Sequence, residues 1–440
     1  MEARFMRSSE LCKTLQAQIV NIAKKGFFHI FGSSIINNIV LFISNILIAR
    51  IIPKESYGVY VYANNIVNFF LLARGLGLSS GIIQFVSEAR DTTIKDQIYR
   101  YSLSVGNRIN LVLSVGIIAY AFLGPVTIDG AKPYVIAMCF LPYIQWIYDY
   151  FLTYFRAQRM NKAYSRITNL NTILYFVFSV LGCWIWGIVG IIFGRYISYI
   201  ISFFFIWKKM DGDLTRILKS NGNACPDKKP LLKYSIGCFT SNALSELLYL
   251  LDVYLIGLII ADSAILASYK VATQIPTALL IIPTSAVIFI YPYFAEHHLD
   301  KNWLKKNIRS VLLILLIVNC LLGLLGYTFA PSIIELLWGT KYEDALPVFR
   351  ILMINYVISG TLRVPCGNIL AMLRKVKANI FASAIAGISN IIFDIVFISR
   401  WGSLGAAYAT VLVVLITSAF SFLYLVRAIR ELPNLEEPET

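Results

Sequence analysis

Charge is scarce in this chain: Asp, Glu, Lys and Arg make up only 14% of its 440 residues, where a soluble domain carries about a quarter. Histidine is scarcer still. His29, His297 and His298 all fall near the expected cytoplasmic ends of apolar runs, which argues against a histidine-based active site. No Cys-x-x-Cys pair, Cys/His metal spacing, P-loop, His-Glu-x-x-His or Gly-x-Ser-x-Gly motif occurs, so neither a metal nor a cofactor is expected. Of seven cysteines, Cys139, Cys183, Cys238, Cys320 and Cys366 lie in apolar runs, while Cys12 and Cys225 lie in basic segments. They read as packing residues or free thiols. The polar, mixed segment Met1–Lys25 lacks the charged-then-apolar pattern of a cleaved signal, so the first apolar run is expected to stay as a membrane span.

What is abundant is apolar surface, with 58% hydrophobic residues and a mean hydropathy of +0.69. A soluble fold has nowhere to hide that surface, whereas a lipid-facing helix bundle does not need to. A helix crosses the hydrocarbon core with about 20 apolar residues. Such runs lie at 28–49, 58–80, 104–125, 134–155, 167–185, 188–207, 234–260, 265–292, 310–330, 346–370, 378–398 and 404–427. The fold class expected is therefore an all-α integral membrane protein of about twelve transmembrane helices. Its expected parts are a cytoplasmic N-terminal segment (1–27), a six-helix lobe (28–207) and a basic linker (208–233). A second six-helix lobe (234–427) and a cytoplasmic tail (428–440) complete it.

The net charge of +15 does not point to nucleic acid, because the basic residues cluster in short segments between spans. With the N-terminus inside, segments 4–25, 90–108, 156–166, 208–233, 301–309, 374–377 and 427–430 hold 29 of the 39 Lys and Arg residues. Arg50, Lys54, Lys132, Lys341 and Arg400 are left on the outer side. That asymmetry predicts a multi-pass membrane protein with both termini in the cytoplasm.

An internal repeat is also legible. Trp186-Gly187-x-x-Gly190 recurs as Trp401-Gly402-x-x-Gly405, and Arg159-x-x-Lys162-Ala163 as Arg374-x-x-Lys377-Ala378, both displaced by 215 residues. Leu47-Ile48 matches Leu255-Ile256, and Gly130-x-Lys132 matches Gly339-x-Lys341, at displacements near 208. Because six spans return the chain to its starting side, the two lobes form a parallel repeat with a central cavity expected between them.

Ionisable side chains inside spans are costly unless they face a partner, a cavity or the interface. Asp252, Glu246 and Lys270 are the deepest, and Arg195 lies in the outer half of the sixth span behind Gly187, Gly190 and Gly194. Asp252 and Lys270 form either a structural ion pair or part of a cavity lining. Arg74 and Arg363 either snorkel to headgroups or add to a cationic cavity with Lys270 and Arg195 that suits an anionic group such as phosphate. Asp252 or Glu246 would then hold a coupling cation. Asp149, Arg350 and Asp394 read as close to interfaces. Asn38 with Asn45, and Asn64 with Asn68, share helix faces, either to bond neighbouring helices or to line a polar conduit. Pro276, Pro283, Gly360, Pro365 and Gly367 permit bends in spans eight and ten. Gly75-x-Gly77-x-x-x-Gly81 closes an apolar helix beside a basic loop, without the strand a dinucleotide fingerprint requires.

Several stretches together resemble the lipid-linked oligosaccharide flippases of the polysaccharide biosynthesis family, in the superfamily that also holds the multidrug and toxic compound extrusion transporters. These are Leu47-Ile48-Ala49-Arg50-x-x-Pro53-x-x-x-Tyr57-Gly58-x-Tyr60, Gly75-Leu76-Gly77 and Phe85-Val86-Ser87-Glu88. Leu251-Asp252-x-x-Leu255-Ile256-Gly257 with Tyr269, Trp338-Gly339-x-x-Tyr342-x-x-Ala345 and Gly402-x-x-Gly405-Ala406-Ala407 complete the pattern. The resemblance spans roughly residues 25–428 and implies two six-helix lobes around a central cavity. It implies alternating-access transfer of an undecaprenyl-diphosphate-linked oligosaccharide to the outer leaflet, for O-antigen, capsule or other lipopolysaccharide-type surface assembly. A coupling H+ or Na+ and polysaccharide polymerase partners are implied with it. The chain is shorter than fourteen-span lipid II flippases. The competing reading is a drug or metabolite cation antiporter of the same fold, which would favour carboxylates and aromatics over interior arginines. A membrane enzyme of the same pathway is disfavoured, because the longest outer segment, around Pro331–Pro347, is too short for a catalytic domain.

Overall fold

A computed structural model describes residues 27–210, 212–297 and 299–432, and everything regular in them is helical, with no strand among the described residues. The likeness of each helix to a membrane span is best seen in what it fails to bury. Lys301–Thr328, which contains the run Leu312–Val318, buries only 22% of its most apolar window. Trp184, Trp186, Phe193, Ile317 and Phe289 are each more than half exposed. In water such surfaces would aggregate, whereas acyl chains solvate them.

Nine described helices are long and apolar enough to cross a membrane. Two of them count double. Asn161–Met210 and Val376–Arg430 are each interrupted by one glycine in a backbone conformation that helices never use, Gly187 (φ 59°, ψ −133°) and Gly402 (φ 59°, ψ −138°). Beyond Gly187 the chain folds back on itself. A Cβ on Gly190 would lie 1.9 Å from the Gly182 carbonyl oxygen, and Ser202 Oγ reaches Asn171 Oδ1 at 3.1 Å. Beyond Gly402 the pattern repeats, with Gly405 set against the Phe397 carbonyl. Lys228–Ile259 is about 48 Å long at 1.5 Å per residue, and its Leu250–Ile259 end is a shorter apolar stretch among the described residues.

The repeat read from the sequence is thus a repeat of backbone conformation. Gly187 and Gly402 share one geometry, and so do Arg159 (φ 57°) and Arg374 (φ 61°), two non-glycine residues in the left-handed region. Each arginine closes its helix with the same bonds, Met160 N–H to Phe155 O and Lys375 N–H to Leu370 O, both 2.8 Å. Nothing lies within 4 Å of a Cβ built on Gly187, and only the Ile260 side-chain tip approaches one on Gly402. Substitution there therefore meets backbone strain rather than a clash. Gly187→Ala and Gly402→Ala are each expected to cost about 1–3 kcal/mol, seen as a lower melting temperature in detergent. An unchanged melting point for both would mean the turns are not fixed as described.

The chain divides into two compact units. The first comprises the segments ending at Asn45, Ala73–Gly116 and Cys139–Phe239, and the second Ile46–Leu72, Ile117–Met138 and Thr240 onward. This division cuts across the sequence halves, since 46–72 and 117–138 belong with the C-terminal half. In the first unit a core of Trp146, Tyr150, Tyr154, Phe155 and Tyr99 packs around Leu78–Glu88. Gly75 (φ 61°) and Gly106 leave room for the Trp146 indole, whose Nε1 donates to Asn107 Oδ1 at 3.1 Å. The short linker helix Asp213–Lys219 is tied to the same unit by Arg216, 2.8 Å from Asp96 and 2.9 Å from Asp213.

In the second unit, residues from both sequence halves are clasped at one end. Arg50 donates to Leu336 O (2.8 Å), Lys341 to Arg50 O and Ile52 O (3.0 and 2.7 Å), and the buried Tyr342 hydroxyl to Ala49 O (3.1 Å). Lys54 pairs with Asp344 at 2.6 Å, and Asp344 also accepts from Ser268. Gly58 lets helix Lys54–Leu72 touch helix Ser263–Leu279, because a Cβ there would fall 1.8 Å from the Ser263 carbonyl oxygen.

Candidate functional site

Helix periodicity within the second unit gathers polar groups around one cavity of about 430 Å³. Lys228–Ile259 contributes Glu246 and Asp252, and Ser263–Leu279 contributes Tyr269, Lys270, Thr273 and Thr277. Lys270, Thr273 and Thr277 fall three and four residues apart, hence on one face. Leu346–Ile358 brings Asn355 and Tyr356, and the two arms of Val376–Arg430 bring Asn390 and Thr410.

Arg363 reaches the same cavity from Ser359–Arg363, a single π-helical turn. The turn has an identifiable cause. Gly360 leaves space for Asn319, a fully buried amide in an apolar helix, which donates to Thr361 Oγ1 (3.3 Å) and accepts from the Tyr356 hydroxyl (2.7 Å). Asn319 thus pins the wide turn that aims Arg363, and such turns are frequent where side chains must be redirected. Arg363 also borders a second cavity of about 150 Å³ lined by Gly367, Asn379, Ser383, Thr417 and Ser421.

Neither Lys270 nor Arg363 joins an ion pair among the described residues. Asp252 is satisfied by other groups. Tyr269 OH (2.7 Å) and Thr410 Oγ1 (2.9 Å) donate to its Oδ2, and Asn390 Nδ2 (3.3 Å) to its Oδ1. The Asp252–Lys270 ion pair considered from the sequence is therefore not what holds Asp252. One helical turn beyond Asn390, Asp394 is fully buried and lies within electrostatic reach of Asp252. Neither Asp394 oxygen nor Asn390 Oδ1 receives a hydrogen bond from a donor, and the Asp394 carboxyl lies within hydrogen-bonding reach of the Asp252 carboxyl. Buried polar atoms left unsatisfied cost about 1–3 kcal/mol each. Four oxygen-bearing side chains therefore converge where a cation or a proton would satisfy them.

Of the residues singled out from the sequence, Lys270, Arg363, Asp252 and Glu246 meet in this cavity. Arg74 and Arg195 belong to the first unit. Arg74 sits 2.7 Å from Asp149 and hydrogen-bonds Gln145, and Arg195 lies beside Tyr199, which is also in electrostatic reach of Arg74 and Asp149. Asn38 and Asn45 are exposed on helix Phe27–Ile51, and Asn64 and Asn68 are partly buried on Lys54–Leu72. On that helix the buried amide is Asn65, which donates to Leu250 O. Sequence reasoning passed over Asn319, Asn390 and Thr410, and named Asp394 without placing it beside Asp252. A lone amide in an apolar run and an Asn/Asp pair four residues apart were the available signals.

Residues 23–298 match the sequence profile of a family described as polysaccharide biosynthesis protein. No curated protein matches the chain. Among solved structures it is similar to the lipid II flippase MurJ in an inward closed conformation, at 14% identity and a TM-score of 0.71, covering 91% of this chain and 88% of that one. It is similar also to an inward-facing multidrug resistance MATE family transporter of the MOP superfamily (14% identity, TM-score 0.73, covering 91% and 96%). A MOP superfamily transporter from Pyrococcus furiosus, described as having reverse polarity of its binding pocket, follows at 12% identity and a TM-score of 0.63, covering 93% and 95%.

Proposed function

We propose that this chain, which belongs to the polysaccharide biosynthesis protein family, is a flippase for undecaprenyl-diphosphate-linked oligosaccharide. It turns the cargo from the cytoplasmic to the outer leaflet of the bacterial inner membrane by alternating access, with both termini in the cytoplasm. The observation that carries this reading is a cavity lined by Lys270 and Arg363, two cations without carboxylate partners among the described residues. A charge at mid-membrane costs about 3 kcal/mol or more, so two such groups in one polar cavity suit an anionic ligand. A diphosphate offers both of them charge-assisted hydrogen bonds. Thr273, Thr277, Asn355 and Ser359 suit sugar hydroxyls, while the lipid tail stays in the bilayer. The clasp around Arg50, Lys54, Lys341 and Tyr342 is the closed outer end in this reading. Polysaccharide polymerases would be partners downstream, and the protein itself does no covalent chemistry.

Coupling is assigned to Asp252 with Asp394, Asn390 and Thr410, whose oxygens would take a proton or Na+. Glu246 lines the same cavity. The two carboxylates at Glu246 and Asp252 also favour a second reading, a multidrug or metabolite cation antiporter. The discriminating experiment is reconstitution in liposomes with two cargoes. Flipping of a fluorescent undecaprenyl-diphosphate oligosaccharide is expected, without accumulation of organic cations. The reverse outcome would establish the antiporter.

A further inference from the structure

Away from the cavity, the first unit carries a groove of about 570 Å³ at the end of the Asn161–Met210 hairpin. Its lining is graded along the helix axis. On the outgoing arm Lys162, Arg166 and Leu170 follow at four-residue intervals, on one face. On the returning arm Lys209 lies four residues from Phe205. Arg159, held in the left-handed turn that starts the hairpin, completes the charged rim. Cations therefore crowd the end of the hairpin, while Ile167, Leu170 and Phe205 form apolar walls up to about 12 Å deeper.

No carboxylate lines the groove, and none of Arg159, Lys162, Arg166 and Lys209 joins an ion pair among the described residues. All four are exposed. The repeat does not require this arrangement. At the 215-residue displacement Arg374 and Lys377 answer Arg159 and Lys162, but Phe381 and Tyr424 stand where Arg166 and Lys209 would recur. Two of the four charges are thus peculiar to the first unit.

We infer that this groove binds the headgroup of an anionic phospholipid from the surrounding leaflet, its phosphate on Arg166 and Lys209 and an acyl chain along Phe205 and Leu170. Charge complementarity supports this occupant. Basic residues at the ends of spans face the anionic cytoplasmic leaflet, and pockets of this kind between helices recognise acidic lipid headgroups. The inference does not depend on the cargo proposed for the cavity.

The test is native mass spectrometry of detergent-purified protein titrated with diphosphatidylglycerol, phosphatidylglycerol or phosphatidylcholine. Wild type is compared with Arg166→Gln/Lys209→Gln and with the repeat-related control Arg374→Gln/Lys377→Gln. Because all these positions are exposed, the variants should melt like wild type, which the same samples check. The groove variant is expected to bind the acidic lipids roughly thirtyfold more weakly, with the control unchanged and phosphatidylcholine weak throughout. Equal binding by wild type and groove variant would overturn the inference. Displacement of the acidic lipid by equimolar undecaprenyl diphosphate would overturn it too, by assigning the groove to the cargo.

Discussion

Lys270→Ala should lower flipping of the lipid-linked oligosaccharide by roughly ten- to a hundredfold while the protein stays folded in the membrane. The magnitude follows from removing one charge-assisted hydrogen bond to a phosphate, about 1.5–3 kcal/mol. Folding should survive because Lys270 is bound to no carboxylate that its loss would orphan among the described residues. Arg363→Ala should cost a similar factor, and Lys270→Arg should recover part of the loss, since it keeps charge but changes geometry. The double alanine variant should lose less than the product of the two single effects if both side chains hold one diphosphate. Liposome flipping rates for the four variants decide the matter. Full activity of the double variant would mean that the cargo does not pass this cavity.

Asp394→Asn is expected to abolish stimulation of flipping by an H+ or Na+ gradient and, at the same time, to leave the protein as stable as before or more so. The two effects have one cause. Asp394 is a fully buried carboxyl whose oxygens receive no donor and whose neighbour within hydrogen-bonding reach is the like-charged Asp252 carboxyl. Replacing it with a neutral isostere relieves a desolvation cost of about 1–3 kcal/mol and removes the negative charge a cation needs. Asp252→Asn should uncouple as well, but with a lower melting point, because Asp252 accepts from Tyr269, Thr410 and Asn390 together. Gradient stimulation that persists in Asp394→Asn, measured in liposomes with imposed ion gradients, would remove this residue from coupling.

The sequence made the fold legible because lipid reverses the usual rule of burial. Apolar runs are continuous, so spans can be counted, and the turn glycines Gly187 and Gly402 mark where two of the long helices double back. The charges inside spans that meet in the cavity, Lys270, Arg363, Asp252 and Glu246, were likewise visible by their rarity. The complete burial of Asp394 was not legible, for a geometric reason. Counted from the loop it lies eight residues before Gly402, only about 12 Å along the helix, and depth along a helix says nothing of which face is covered. Arg74 and Asp149 are 75 positions apart, so their pairing is purely tertiary. The family motifs were loose in sequence but meet in space. Ala49, Arg50, Tyr57 and Gly58 from one half contact Leu336, Tyr342, Gln274 and Ser263 from the other.

Under the proposed alternating-access cycle, that clasp sets an energy scale for opening the outer end. Three of the five basic residues expected outside, Arg50, Lys54 and Lys341, are held in it, and most of its acceptors are main-chain carbonyls. Such acceptors lose nothing specific on opening, because water replaces the donor. At about 0.5–1.5 kcal/mol net per bond, its five cross-half hydrogen bonds resist opening by roughly 3–7 kcal/mol. One cation falling through 100 mV delivers about 2.3 kcal/mol. On these figures one cation falls short of the clasp, and two or three, supplying about 5–7 kcal/mol, match it.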